Sequence, residues 1–158
     1  MPPVQHAIDE FLSQRRIAVA GVSREGGSHA ANGIYLRLKE RGYEVFPVNP
    51  AADVVEGDPC FHDIKSIPGG VDGVVIATHP KDSANVAEQC KELGIKNVWM
   101  HNNFGSGSYS EDAHRICRES GIAAITGGCP LMYGPTSDGF HRFMRSFLNL
   151  FGQLPRQA

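Results

Sequence analysis

A glycine-rich stretch stands between an apolar run and a helical pattern. Ile17-Ala18-Val19-Ala20 is followed by Gly21-Val22-Ser23-Arg24-Glu25-Gly26-Gly27, and apolar periodicity resumes at Ala31. Backbone N–H groups in such a turn, with those opening a helix near Ala30, can receive a phosphate. Gly21 would make the tight turn and Ser23 would offer a hydroxyl. Four other apolar runs also end in small or polar residues: Asn49-Pro50, Thr78-His79, His101-Asn102-Asn103 and Thr126-Gly127-Gly128-Cys129-Pro130. Glycines alone are weak evidence, so a purely structural turn at 21–27 is the alternative.

Other chemistries fit less well. A dinucleotide fingerprint needs G-x-G-x-x-G and an acid closing the second strand, whereas Ser23 takes the second glycine position and the strand ends Val48-Asn49-Pro50. The Walker A pattern is absent, because no Gly-Lys-Ser/Thr follows the loop. Gly21-Val22-Ser23-Arg24-Glu25 approaches a nucleophile elbow, but Glu25 replaces the last glycine, which counts against a hydrolase using Asp72, His79 or His101. Cys60-x-His62, His114-x-x-Cys117 and the pair His79 and His101 lack the spacing of a persuasive metal site. Cys129, just before Pro130, is a candidate for thiol exchange with a ligand, or a small buried residue beside a rigid turn.

These residues need a scaffold that brings strand ends together. Lys39-Glu40-Arg41-Gly42-Tyr43, Lys91-Glu92-Leu93-Gly94-Ile95 and Arg118-Glu119-Ser120-Gly121-Ile122 each read as a last helical turn, a glycine stop and an apolar strand start. Helical periodicity precedes each, through Ala31, Ile34/Tyr35 and Leu38, then Val86/Ala87, Cys90 and Leu93, then Ala113 and Ile116/Cys117. Pro80 suits a first helical turn, and Ser110 with Glu111 and Asp112 suits a cap. Strands are expected at 17–20, 45–48, 74–77, 98–100 and 122–125, apolar on both faces as covered parallel strands are. The alternation implies an α/β fold: a doubly wound, mainly parallel sheet in three layers. A helix is expected over 4–14, and Phe140, Phe143/Met144, Phe147/Leu148 and Phe151 suggest a final amphipathic helix. Residues 49–70 read as an irregular connection with a short strand at Cys60-Phe61 and one helical turn at 63–67.

The 158 residues suit one domain, with its core at about 16–130. Fifteen Lys+Arg against 17 Asp+Glu give a net charge of −2, so no positive field draws the chain to nucleic acid or anionic membrane. A small-molecule nucleotide is the expected partner, and nothing assigns a protein partner. Glycine is in excess, 18 of 158 residues or about 11% against a usual ~7%. Four scattered cysteines and no leader-like or membrane-spanning run make a reduced, cytoplasmic protein the expectation.

Val19-Ala20-Gly21-Val22-Ser23, Gly42-Tyr43-Glu44-Val45-Phe46-Pro47-Val48-Asn49-Pro50, Val71-Asp72-Gly73-Val74-Val75-Ile76 and Cys129-Pro130 together resemble the coenzyme A-binding Rossmann-like family. That family is similar to the N-terminal domain of the succinyl-CoA synthetase alpha subunit, and its members often lack the synthetase's second, catalytic domain. The resemblance implies that Gly21, Val22, Ser23 and Arg24 meet the phosphates of coenzyme A, and that Val48, Asn49 and Pro50 lie beside the nucleotide. It implies a pantetheine path along Thr78, His79 and Pro80, then Met100, His101 and Asn102. Uncharged Asn49 suits a ligand with a ribose 3′-phosphate, and Arg24 is the nearest basic residue for that group. The loop departs from many relatives in continuing as Glu25-Gly26-Gly27-Ser28-His29, without Pro and a basic residue. The expected function is binding of coenzyme A or an acyl-CoA, without catalysis by this chain. The alternatives are an NAD(P)- or other nucleotide-dependent enzyme or sensor, and an interaction module using the C-terminal helix.

Overall fold

A computed structural model describes residues 3–26, 29–102 and 107–133. The elements run α1 (Pro3–Ser13), β1 (Arg16–Ala20), α2 (Ala30–Glu40), β2 (Glu44–Val48), β3 (Val54–Val55), β4 (Asp58–Pro59), β5 (Gly73–Ile76), α3 (Pro80–Glu92), β6 (Asn97–Met100), α4 (Glu111–Glu119) and β7 (Ala123–Thr126). A 3-10 turn follows at Pro130–Met132. The expected C-terminal helix lies outside the described residues.

The main sheet has five parallel strands in the order β2-β1-β5-β6-β7. Strand residues alternate between two cores. Ile17, Val19, Val75, Trp99 and Ile125 pack with Phe11 of α1 and Ala31, Ile34, Tyr35 and Leu38 of α2. Ala18, Ala20, Val74, Ile76, Val98, Met100 and Ala124 pack with Val86, Ala87 and Cys90 of α3 and Ala113 and Cys117 of α4. Both faces being covered explains why the strands read as unbroken apolar runs. Trp99 anchors the first core: its ring meets Phe11 edge-on at 5.5 Å, and its indole N–H donates to Gly127 O at 2.9 Å.

The helix signals act as expected from their chemistry. Ser110 Oγ accepts from Ala113 N, and Pro80 opens α3 after His79. Leu93 caps α3 with 43% exposure, so that helix's buried stripe ends at Cys90. The 49–70 connection differs in detail. An antiparallel hairpin joins β3 to β4, turning through Glu56 (φ 51°) and Gly57 (φ 78°). Two successive positive φ values match the twist of a tight hairpin, a conformation that Glu-Gly signals weakly because only its second residue is a glycine. Phe61 forms an isolated parallel bridge to Val48, and 63–67 is a turn in which Asp63 Oδ1 accepts from Ser66 N. Among the described residues no helix is long and apolar enough to cross a membrane.

Candidate functional site

The winding direction reverses between β1 and β5, whose following connections leave toward opposite faces of the sheet. In open α/β sheets the crevice outside the carboxyl ends of such a pair is the ligand site. A cleft of about 730 Å³ lies there, lined by Gly21 and Val22 after β1, Val48, Asn49 and Pro50 at the end of β2, Thr78 and His79 after β5, and His101 after β6.

Gly21 is required by two constraints. Its φ is +105°, and a Cβ there would stand 2.3 Å from Ala77 O and 2.8 Å from Thr78 N. The chain leaving β1 thus passes directly against the chain leaving β5, which only glycine permits. Gly21 N donates to Val48 O at 3.2 Å, and Asn49 Nδ2 donates to Val22 O at 2.8 Å. Asn49 Oδ1 accepts from Ala51 N, so this carboxamide also shapes the turn after β2.

The loop after Gly21 is held from behind. Asn32, fully buried on α2, accepts from Ser23 N at 2.7 Å and donates to Ser23 O at 2.9 Å. Its Nδ2 also donates to Glu56 Oε1 at 3.0 Å. Ser23 Oγ accepts from Glu25 N, which leaves its own O–H available. His29, the N-cap of α2, makes no side-chain capping bond. The first α2 N–H groups have no intrahelical acceptors, and Ala30 and Ala31 line the cleft. This arrangement can receive an anion.

The other end of the cleft is polar. Thr78 Oγ1 and Ser83 Oγ lie 2.9 Å apart, Ser83 Oγ donates to Ser108 O at 2.7 Å, and Ser108 N donates to His101 O at 2.8 Å. This chain of bonds ties the loop after β6 to the start of α3. His101 is 7% exposed, and burial pushes its imidazole pKa down to about 4. The ring is therefore neutral near pH 7, one nitrogen donating and the other accepting, and it makes no hydrogen bond among the described residues.

Of the residues singled out from the sequence, Gly21, Val22, Val48, Asn49, Pro50, Thr78, His79 and His101 meet around the cleft. Ser23 and Arg24 are not among the residues that line it; Ser23 is half-buried and Arg24 exposed. Pro80 is the first residue of α3 rather than a lining residue. Met100 is fully buried in the α3/α4 core, because its side chain follows the alternation of β6. Asn102 is not a lining residue, and its backbone pairs with Gly128 in an isolated antiparallel bridge. Cys129 is 2% exposed within the α1/α2 core and does not line the cleft. Among the described residues, no three metal-ligating side chains converge.

Sequence reasoning missed Asn32, Ser83 and Ser108, and the polar edge Asp82, Asn85 and Gln89 that α3 presents to the cleft. Asp82, Asn85, Val86 and Gln89 fall at i, i+3, i+4 and i+7, a helical face that was legible beside the apolar one.

Residues 15–135 match a family model described as a CoA binding domain. Among curated proteins, the chain is 34% identical over 113 residues to the acetate–CoA ligase [ADP-forming] II alpha subunit of Pyrococcus furiosus, covering 71% of this chain and 24% of that protein. It is 28% identical to acetate–CoA ligase [ADP-forming] II of Archaeoglobus fulgidus, covering 92% of this chain and 22% of that protein. The chain thus spans about a quarter or less of these ligases. It matches 91% of the uncharacterized protein YneT of Bacillus subtilis at 28% identity, over 80% of its own length. Among solved structures, a hypothetical protein from Pyrococcus horikoshii superimposes with a TM-score of 0.72 at 26% identity, over 82% of this chain and 91% of that one. A conserved hypothetical protein from Pyrococcus furiosus gives 0.63 at 34% identity, over 73% and 95%.

Proposed function

This chain belongs to the CoA binding domain family, and from that premise we propose that it binds coenzyme A or an acyl-CoA across the carboxyl edge of its sheet. In this reading the ligand phosphates lie against the N-terminus of α2 and the 21–24 loop, met by Gly21, Val22, Ser23 and Arg24. The nucleotide lies beside Val48, Asn49 and Pro50. Pantetheine passes Thr78, His79 and Pro80 toward Met100, His101 and Asn102. Met100 serves this end from within the core, Asn102 through its backbone, and His101 with its imidazole.

The observation that carries the reading is the uncharged edge of β2. Asn49 lines the cleft where an acid would hold the ribose of NAD, so a phosphorylated ribose meets no carboxylate there. The names of the ligase relatives support coenzyme A as the ligand class. The proposal assigns binding to this chain, acting as one domain over residues 1–158, and no bond-making step. Its four free cysteines support a reducing, cytoplasmic setting.

Separate calorimetric titrations of coenzyme A, acetyl-CoA, NAD and NADP test the reading. Binding of the two thiol-bearing or thioester ligands in preference to the dinucleotides is expected. Preference for NAD or NADP overturns it.

A further inference from the structure

We propose that the β5–β6 end of the cleft selects acyl thioesters whose acyl group is uncharged, because Asp82 lines that end and no lysine or arginine among the described residues does. The inference rests on the binding reading above, with the thioester near Thr78, His101 and Ser108.

A carboxylate at the far end of an acyl chain needs a partner when it leaves water. Besides Asp82, the groups that line the cleft here are hydroxyls and imidazoles: Thr78, Ser108, His79 and His101; Asn85 and Gln89 extend its α3 wall toward Ile64, whose N–H donates to Gln89 Oε1 at 3.0 Å. The buried imidazole of His101 stays neutral near pH 7, so it hydrogen-bonds a carbonyl without supplying countercharge.

The one feature here suited to an anion is the start of α3, and the chain's own acid occupies it. Asp82 stands in the first turn of α3, where the helix dipole favours negative charge. Pro80 removes one N–H from the same turn, and Asp82 N is already bonded to His79 O at 2.9 Å. His79 precedes this turn as the N-cap of α3 and makes no side-chain capping bond. A dicarboxylic monothioester therefore meets repulsion and no compensating pair, while an acetyl or other neutral acyl group meets neutral donors.

Calorimetry with coenzyme A, acetyl-CoA and succinyl-CoA at pH 7.5 separates the possibilities. Acetyl-CoA should bind within about threefold of coenzyme A, and succinyl-CoA about tenfold more weakly, the scale of like charges sharing a partly solvated cleft. Asp82→Asn should narrow that gap to about twofold, and raising salt should narrow it in the unaltered protein. Succinyl-CoA binding as tightly as acetyl-CoA overturns the selection, and an undiminished gap in Asp82→Asn overturns its assigned cause. Failure of coenzyme A itself to bind overturns the binding reading, and the inference falls with it.

Discussion

Asn32 and Ser23 hold each other by two hydrogen bonds, Oδ1 accepting from Ser23 N at 2.7 Å and Nδ2 donating to Ser23 O at 2.9 Å. A side chain nine residues along the chain thereby acts as the missing neighbour of a loop peptide. The second Nδ2 hydrogen reaches Glu56 Oε1 on the β3–β4 turn, so one buried carboxamide joins the first loop, α2 and the hairpin. The loop's shape is set before any ligand arrives, which lowers the ordering cost of binding.

Asn32→Ala leaves the Ser23 N–H and C=O without these partners in a half-buried setting. A loss of about 2–4 kcal/mol in folding stability is expected, read from urea midpoints. Coenzyme A affinity should fall by about tenfold in the fraction that remains folded, since the loop is then ordered only on binding. Asn32→Asp restores the acceptor but sets a carboxylate against Glu56, and its deficit should grow as pH rises above the carboxylate range.

Gly21→Ala places a methyl group 2.3 Å from Ala77 O on backbone that no rotamer can relieve, at a φ of +105°. More than about 2 kcal/mol of stability should be lost, together with ligand binding. A variant that keeps both the denaturation midpoint and the affinity would contradict the close approach.

His101 makes stability sensitive to acid. The unfolded imidazole takes up a proton near pH 6.5, whereas burial delays this in the folded protein to about pH 4. Between those values the unfolded state binds more protons, so stability rises with pH through this window and is lost as pH falls. The group should remove about 2 kcal/mol between pH 7 and pH 5. Urea denaturation at the two pH values checks this, and His101→Gln should show the smaller drop.

Trp99→Phe loses the N–H bond to Gly127 O at 2.9 Å and part of the contacts with Phe11 and Tyr133. About 2 kcal/mol of destabilisation is expected from the orphaned carbonyl and reduced packing. Trp99 is the only tryptophan and is fully buried, so native fluorescence should resist quenching by iodide until the protein unfolds.

The alternation of strands and helices, the two-sided burial of the strands and the set of polar strand ends are all written in the residue pattern. These follow from local periodicity: Ile17 through Ala20 must sit in a covered strand, and Gly42, Gly94 and Gly121 must stop helices, wherever the neighbours lie. Which ends meet depends on how the strands pair. The order β2-β1-β5-β6-β7 presses Gly21 onto Ala77, brings Glu56 to Asn32 and turns Asp82 and Asn85 of α3 toward the cleft. It also sends the side chain of Met100 into the core while His101, one residue on, lines the cleft. Periodicity tells how a residue is buried, whereas the partner that buries it comes from strand pairing across dozens of residues, which no local pattern encodes.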